Sequence, residues 1–295
     1  MADKFDLYET VTASIISAIE AGCAPWRAPW TGSKSGTGFP KRANGERYRG
    51  INVLMLWLEA SERGYASPFW MTYKQAQNLG AQVKKGAKST TVVKYGTFER
   101  EDKDTGETHA LPYAKAYRVF NADQIEGLAA EFYGSPIEAP RDLGTVSDPV
   151  LDAFFAATGA RIETSDDPRA YYNPLVDLIH MPKIETFHSA GGFYATLAHE
   201  TTHWTGHSSR LDRLSQGRDK AAYAFEELVA EIGACLLCAE LGLTPDFEQS
   251  GAYIAGWLEA LQNDKRHIFK AASAAQRAFD LILDRASPAE QQAAA

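Results

Sequence analysis

Apolar residues recur along this chain with two different periods, and the changes of period outline its elements. Leu7, Val11, Ile15, Ile16 and Ile19 fall at spacings near 3.6, which predicts a helix over Phe5 to Ala21 that stops at Gly22. A second helix opens at Tyr48-Arg49-Gly50-Ile51-Asn52 and runs through Leu54, Trp57 and Leu58 to Gly64, and a short third one spans Thr72 to Leu79. The β-branched run Ser89 to Tyr95 predicts a strand, with Tyr113 to Phe120 returning beside it and the charged stretch Glu99 to Glu107 as the hairpin tip. Residues 31–47 are rich in Gly, Ser, Lys and Arg and read as a loop.

Gly134, Pro136, Pro140 and Gly144 mark a linker. Beyond it come an amphipathic helix, Asp148 to Thr158, and strands at Arg161 to Glu163 and at Leu175 to Met181. The rest is helical: a helix around Phe193 to His203, one from Tyr223 into the apolar run Ile232 to Ala239, then Tyr253 to Leu261 and Lys265 to Leu283, with a frayed tail from Ser287. The pattern predicts an α+β chain in two domains, residues 1–130 and 146–290, joined by a linker over 131–145. The second domain is mostly helical with a small sheet.

Length and composition agree with that division. At 295 residues, 45% apolar and 23% charged, the chain has room for two ordinary globular domains. No apolar run approaches the roughly 18 residues of a membrane span, so no membrane partner is expected. The N-terminus is acidic and amphipathic, unlike a secretory leader. Three cysteines in a chain of this size argue for a reducing compartment, and the expected location is cytoplasmic. Cys235 and Cys238 form a C-x-x-C with no second pair, inside the run ACLLCAELG, and are expected in the core.

The net charge of −8 conceals an asymmetry. Residues 1–128 carry 17 Lys and Arg against 14 Asp and Glu, whereas residues 129–295 carry 13 against 24. Between Trp26 and Tyr95 the contrast sharpens to 12 basic against three acidic residues. Cations able to follow phosphates and aromatic rings able to stack on unpaired bases are interleaved there, which points to a single-stranded DNA surface. Its candidate residues are Trp26, Arg27, Trp30, Arg42, Tyr48, Arg49, Lys84, Lys85 and Lys88, while Trp57 sits in a helical apolar pattern and belongs to the core.

The sharpest chemical signal is His199-Glu200-Thr201-Thr202-His203. On a helix the two histidines, four apart, share a face and can hold one metal ion, and Glu200 projects beside them as a base for an activated water. A third protein ligand is needed, and the acidic helix start at Tyr223 to Glu231 supplies candidates. Glu227 is the expected ligand, with Glu231 hydrogen-bonded to the unused nitrogen of a ligand histidine. The reverse assignment and Glu226 stay open. Zinc suits such donors, with manganese or another divalent ion as the alternative. Tyr223, Tyr172 and His207 are candidates for stabilising an oxyanion. The Leu175 to Met181 strand is expected to be the edge on which a substrate backbone is laid, and His180 is expected to be a strand-surface residue outside the metal set.

Several motifs, in order, resemble one family. PWRAPW, YRGIN, SPFWMTYKQAQNLG, VKKGAKST and YRVFNADQIEGL are similar to the N-terminal domain of ArdC antirestriction proteins, which also begins TraC-type plasmid primases. YYNPLVDLIHMP, LAHETTHWTGHSSRL, YAFEELVAEIGACLL and the stretch from GAYIAGWL to AAQRA resemble the zincin-like metallopeptidase domain joined to it. The resemblance implies a single-stranded DNA-binding domain followed by a metal-dependent peptidase domain. It also implies carriage by a conjugative plasmid or other mobile element, whose entering DNA is shielded from host restriction.

Two function classes follow. One is a DNA-tethered metallopeptidase acting on an unknown protein substrate, such as a host restriction enzyme. The other is a non-enzymatic single-strand coat protein whose metal site is structural.

Overall fold

A computed structural model describes residues 6–22, 24, 38–101, 108–133, 143–215, 219–243 and 251–287. Trp26, Arg27, Trp30, residues 102–107 of the expected hairpin tip, most of the expected linker and the tail from residue 288 lie outside the described residues.

The first helix, α1 (Leu7–Glu20), is capped by Asp6, whose carboxylate accepts from the backbone of Tyr8 and Glu9. Its apolar stripe, Leu7, Val11, Ile15 and Ile19, is buried. α2 (Ile51–Arg63) starts at Gly50, whose φ of 56° and ψ of −134° only glycine adopts readily, and ends at the left-handed Gly64. Most of α2 is buried, including Trp57.

The larger sheet orders its strands β1 (Lys41–Arg42), β2 (Phe69–Met71), β5 (Thr108–Asn121) and β4 (Thr90–Glu101). β4 and β5 pair without interruption from Thr90 opposite Val119 to Glu101 opposite Thr108. The strands therefore extend past Tyr95 into the charged stretch assigned to the hairpin tip, because a two-stranded ribbon needs no apolar face to continue its backbone ladder. Asn52 docks on the open edge of β4, donating to the Val93 carbonyl at 2.8 Å and accepting from its N–H at 2.7 Å. A satellite of α3 (Tyr73–Asn78), β3 (Gln82–Val83) and β6 (Ile125–Glu126) has its own small core around Met71, Ile125 and Phe132.

In the second half, α4 (Pro149–Ala157) leads into a sheet ordered β7 (Arg161–Ser165), β9 (Leu178–Pro182), β8 (Tyr171–Asn173). β9 is parallel to β7, antiparallel to β8 and almost entirely buried. The expected substrate edge at Leu175 to Met181 is thus a central strand preceded by a turn, and β7 and β8 are the edges. Apolar content alone reads as a strand but does not tell a central position from an outer one. His180 is likewise in the core rather than on the surface, with Nδ1–H donating to the Arg169 carbonyl at 2.7 Å and Nε2 accepting from Ser165 Oγ at 2.8 Å.

Four helices complete the fold: α5 (Ala190–Trp204), α6 (Lys220–Leu241), α7 (Gly251–Asn263) and α8 (His267–Ala286). α5 and α6 approach closely where a Cβ on Gly233 would meet Thr202 Cγ2 at 2.5 Å. Cys235 and Cys238 form no disulfide and lie in the buried face of α6.

The main core does not respect the division into halves. α1 packs against α7, α2 against α8, and one continuous cluster runs from Val11, Ile15 and Trp57 to Ala272, Ala275 and Phe279. The Phe39 and Phe279 rings lie 5.5 Å apart. Polar ties cross the same seam: Thr12 Oγ1 donates to the Lys265 carbonyl, Gly50 N–H to Gln276 Oε1 at 2.9 Å, and Arg47 pairs with Glu240.

Candidate metal centre

α5 begins at Ser189, whose Oγ accepts from Gly192 N–H. Its buried small and apolar residues, Ala190, Ala195, Leu197 and Ala198, set it deep in the domain. That leaves His199 and His203 facing α6 one turn apart, with Nε2 atoms 3.2 Å from one another. α6 is capped by Asp219, and its first turns bring Glu227 opposite, Oε2 lying 3.6 Å from His199 Nε2 and Oε1 3.6 Å from His203 Nε2. One donor atom from each of these three residues falls within 4.8 Å of the other two. Two imidazole nitrogens and a carboxylate oxygen converging in this way suit a divalent transition metal.

Around this set stand further carboxylates. Glu231 Oε2 is 3.9 Å from His199 Nδ1. Glu226 Oε1 is 3.2 Å from His203 Nδ1, and the same carboxylate is gripped by Arg213 through two hydrogen bonds of 2.8 and 2.9 Å. Arg213 also donates to Thr205 Oγ1 and to the Thr202 carbonyl, so it is anchored to the end of α5. The sequence offered Glu226 only as an alternative ligand and did not single out Arg213.

Charge explains the protonation of the metal-free cluster. Burial disfavours a charged His199, but hydrogen bonding to Glu227 and the charges of Glu200, Glu231 and Glu227 outweigh it and raise the imidazole to about 9. Burial likewise opposes ionisation of Glu227, and the His199 hydrogen bond with both imidazole charges overrides it, holding the carboxyl down at about 2. Glu226 is also held below the ordinary carboxylate range, burial being outweighed by His203 and Arg213.

Glu200 is buried beside the histidines, and the whole group opens into a cleft of about 1560 Å³. Its lining includes Tyr171, Tyr172 and Pro174 from the β8 edge, Arg49, Asn52 and Tyr95 from the first half, and the exposed side of α8. Of the three oxyanion candidates, Tyr223 lies at the site: it lines the cleft one turn before Glu227 and hydrogen-bonds to it. Tyr172 also lines the cleft, but its hydroxyl is engaged by Asp177 and Arg210. His207 is bonded to Ser209 and does not line the cleft.

Six of the nine expected DNA-contacting residues lie among the described residues, and their environments differ. Tyr48 is in the core at 7% exposure, its hydroxyl donating to the Trp70 carbonyl, so its ring is not open for stacking. Arg49 is ion-paired with Asp280 in the cleft, and Arg42 pairs with Glu46. Lys84, Lys85 and Lys88 are exposed on the turn between β3 and β4. Tyr73, the first residue of α3, is exposed and bonded to Gln82 of β3.

Residues 5–120 match the N-terminal domain of the anti-restriction factor ArdC, and residues 149–274 match a zincin-like metallopeptidase family. The crystal structure of the antirestriction protein ArdC from plasmid R388, in its metal-free form, superposes with a TM-score of 0.88 at 62% identity, covering 96% of this chain and 98% of that one. The chain belongs to the ArdC antirestriction family. A Mn(II)-bound structure of the R388 ArdC is similar at a TM-score of 0.85 and 61% identity, over 96% of this chain and 99% of that one. An uncharacterized protein of Sinorhizobium fredii, y4eC, is 39% identical over 97% of this chain and 94% of its own length. The DNA primase TraC of Escherichia coli is 38% identical over 95% of this chain, which spans only 27% of the primase. Among the described residues of this ArdC-family chain, no helix is long and apolar enough to cross a membrane.

Proposed function

We propose that this ArdC-family protein is a divalent-metal-dependent peptidase that binds single-stranded DNA and protects incoming plasmid DNA from restriction. The observation that carries the peptidase half is the convergence of His199, His203 and Glu227 beside a buried Glu200 in an open cleft. His199, His203 and Glu227 would hold the metal, zinc or manganese. When bound, such an ion acidifies water and polarises a carbonyl group.

The protein's own side chains do the rest. The Glu200 carboxylate accepts a proton from the attacking water and returns it to the leaving amine. Glu226 and Glu231 hold the two imidazoles by their Nδ1 sides, which keeps Nε2 directed at the shared point. Tyr223 presents its hydroxyl next to the Glu227 carboxylate, where it can donate to a developing oxyanion. The free edge of β8 offers backbone N–H and C=O groups on which an extended polypeptide is laid.

Support for DNA binding lies in the family match and in the exposed group Tyr73, Lys84, Lys85 and Lys88. Single-strand affinity falling steeply with salt, and weakened when the three lysines become Glu, supports this surface. The peptidase half is tested with Glu200→Ala in the metal-loaded full chain. Cleavage of a proteome-derived peptide mixture should vanish while bound metal is unchanged. If the variant still protects plasmid DNA as well as the parent does, the metal site is structural and the coat-protein reading takes over.

A further inference from the structure

The cleft has two walls of opposite character. On one side stand the metal-site residues, where four glutamates face a single arginine, Arg213. On the other is the exposed side of α8, preceded by Arg266 and carrying Lys270, Ser273 and Arg277. Gaps of four, three and four residues set these in one row along the helix, with Arg266 and Arg277 about 16 Å apart.

The charges in that row are not equally free. Lys270 is paired with Asp264 at 2.8 Å, and Asp280, next in the row, is held by Arg49. Arg277 donates to Ser273 Oγ at 3.0 Å, and the Arg266 guanidinium lies 5.1 Å from the centre of the Tyr8 ring. Both arginines are therefore oriented, yet neither has a carboxylate partner among the described residues. They stand in a half of the chain with 13 basic against 24 acidic residues, so two arginines without carboxylate partners run against the local charge there.

We infer that this row is a substrate subsite that selects acidic side chains of a polypeptide, with Arg266 and Arg277 as its anchors; the inference rests on the peptidase reading above. The two walls favour a peptide over a nucleic acid strand. Side chains of an extended peptide alternate between opposite sides. One set can present carboxylates to α8 while the other presents neutral groups to the acidic metal wall. A phosphate backbone carries charge on every unit and would bring part of it against the glutamates.

The test uses the full chain carrying Glu200→Gln and loaded with Mn(II), so that ligands bind without being cut. Fluorescent peptides of alternating Glu and Ala, and of alternating Lys and Ala, are compared with an oligothymidylate of matched length. The acidic peptide should bind about tenfold more tightly than the basic one, and salt should erode the difference. Combining Arg266→Glu with Arg277→Glu should abolish or invert the preference, with the melting temperature unchanged. Equal binding of the two peptides overturns the subsite, as does a preference that survives the substitutions. Loss of oligothymidylate binding in place of acidic-peptide binding overturns it too.

Cleavage profiling of a proteome-derived peptide mixture by the metal-loaded parent separates the two readings. Cleavage without enrichment of Asp and Glu around the cut sites sinks the subsite and leaves the peptidase. Selective acidic binding with no cleavage sinks the peptidase and leaves the subsite.

Discussion

Glu226 and His203 face each other across the gap between α5 and α6, with Oε1 of the one 3.2 Å from Nδ1 of the other. The contact fixes which imidazole nitrogen is left for a metal, and Arg213 fixes the glutamate in turn. Replacing Glu226 by Ala should lower divalent-metal affinity by about 10- to 100-fold, measured by competition with a chelating dye. Arg213→Met should act at one remove. It strands a buried carboxylate and costs about 3–5 kcal/mol of stability, seen in the denaturant midpoint. Metal affinity equal to the parent's in both variants would show that His203 is oriented by packing alone.

Metal uptake should release a proton. In the metal-free protein His199 is protonated below about 9, so at neutral pH the ion displaces a proton from one of its own ligands. Affinity should consequently rise with pH up to about 9 and level off above it. Calorimetric titrations in buffers of different ionisation enthalpy should report about one proton released at pH 7. A heat independent of buffer would contradict the charged imidazole.

The closest approach of α5 to α6 offers a way to move the site without touching a ligand. Gly233→Ala places a methyl group 2.5 Å from Thr202 Cγ2, inside the motif that carries both histidines. The helices should separate at a cost of about 1–3 kcal/mol, and metal affinity should fall with stability. Adding Thr202→Ala, which removes the clashing atoms, should restore part of both. Failure of the double variant to recover either property would locate the damage elsewhere.

Unfolding should be a single transition for the whole chain. The core passes through the seam between the halves, and Phe279→Ala, which empties the space against Phe39, should destabilise the protein by about 3–5 kcal/mol. Trp57 and Trp70 report on the first half, Trp204 and Trp257 on the second, and their fluorescence should change together with the circular dichroism. Two separated transitions would mean that the halves are energetically independent.

The sequence disclosed most where geometry is local. His199 and His203 sit on one helix face because four residues make about a turn, and the Glu227 to Glu231 spacing could be read in the same way. What it left open depended on which distant elements meet. Nothing within the β9 run says that strands flank it on both sides. The burial of Tyr48 is set by contacts with Trp70 and the rest of the core, not by its neighbours in the chain. The separation of Glu226 from the ligand position is likewise a matter of how α6 is turned toward α5. Arg213 lies in a loop with no periodicity, and only its partners identify it.

The seam also bears on how this chain could be divided. Val11, Ile15, Phe39 and Trp57 on one side and Ala272, Ala275 and Phe279 on the other would meet in the same way without a peptide connection between them. The halves are related as the subunits of an obligate heterodimer are, and two polypeptides cut near residue 140 and produced in the same cell should find one another and rebuild the cleft. Activity or metal uptake would then become a signal of their meeting, which makes the protein a split reporter by construction.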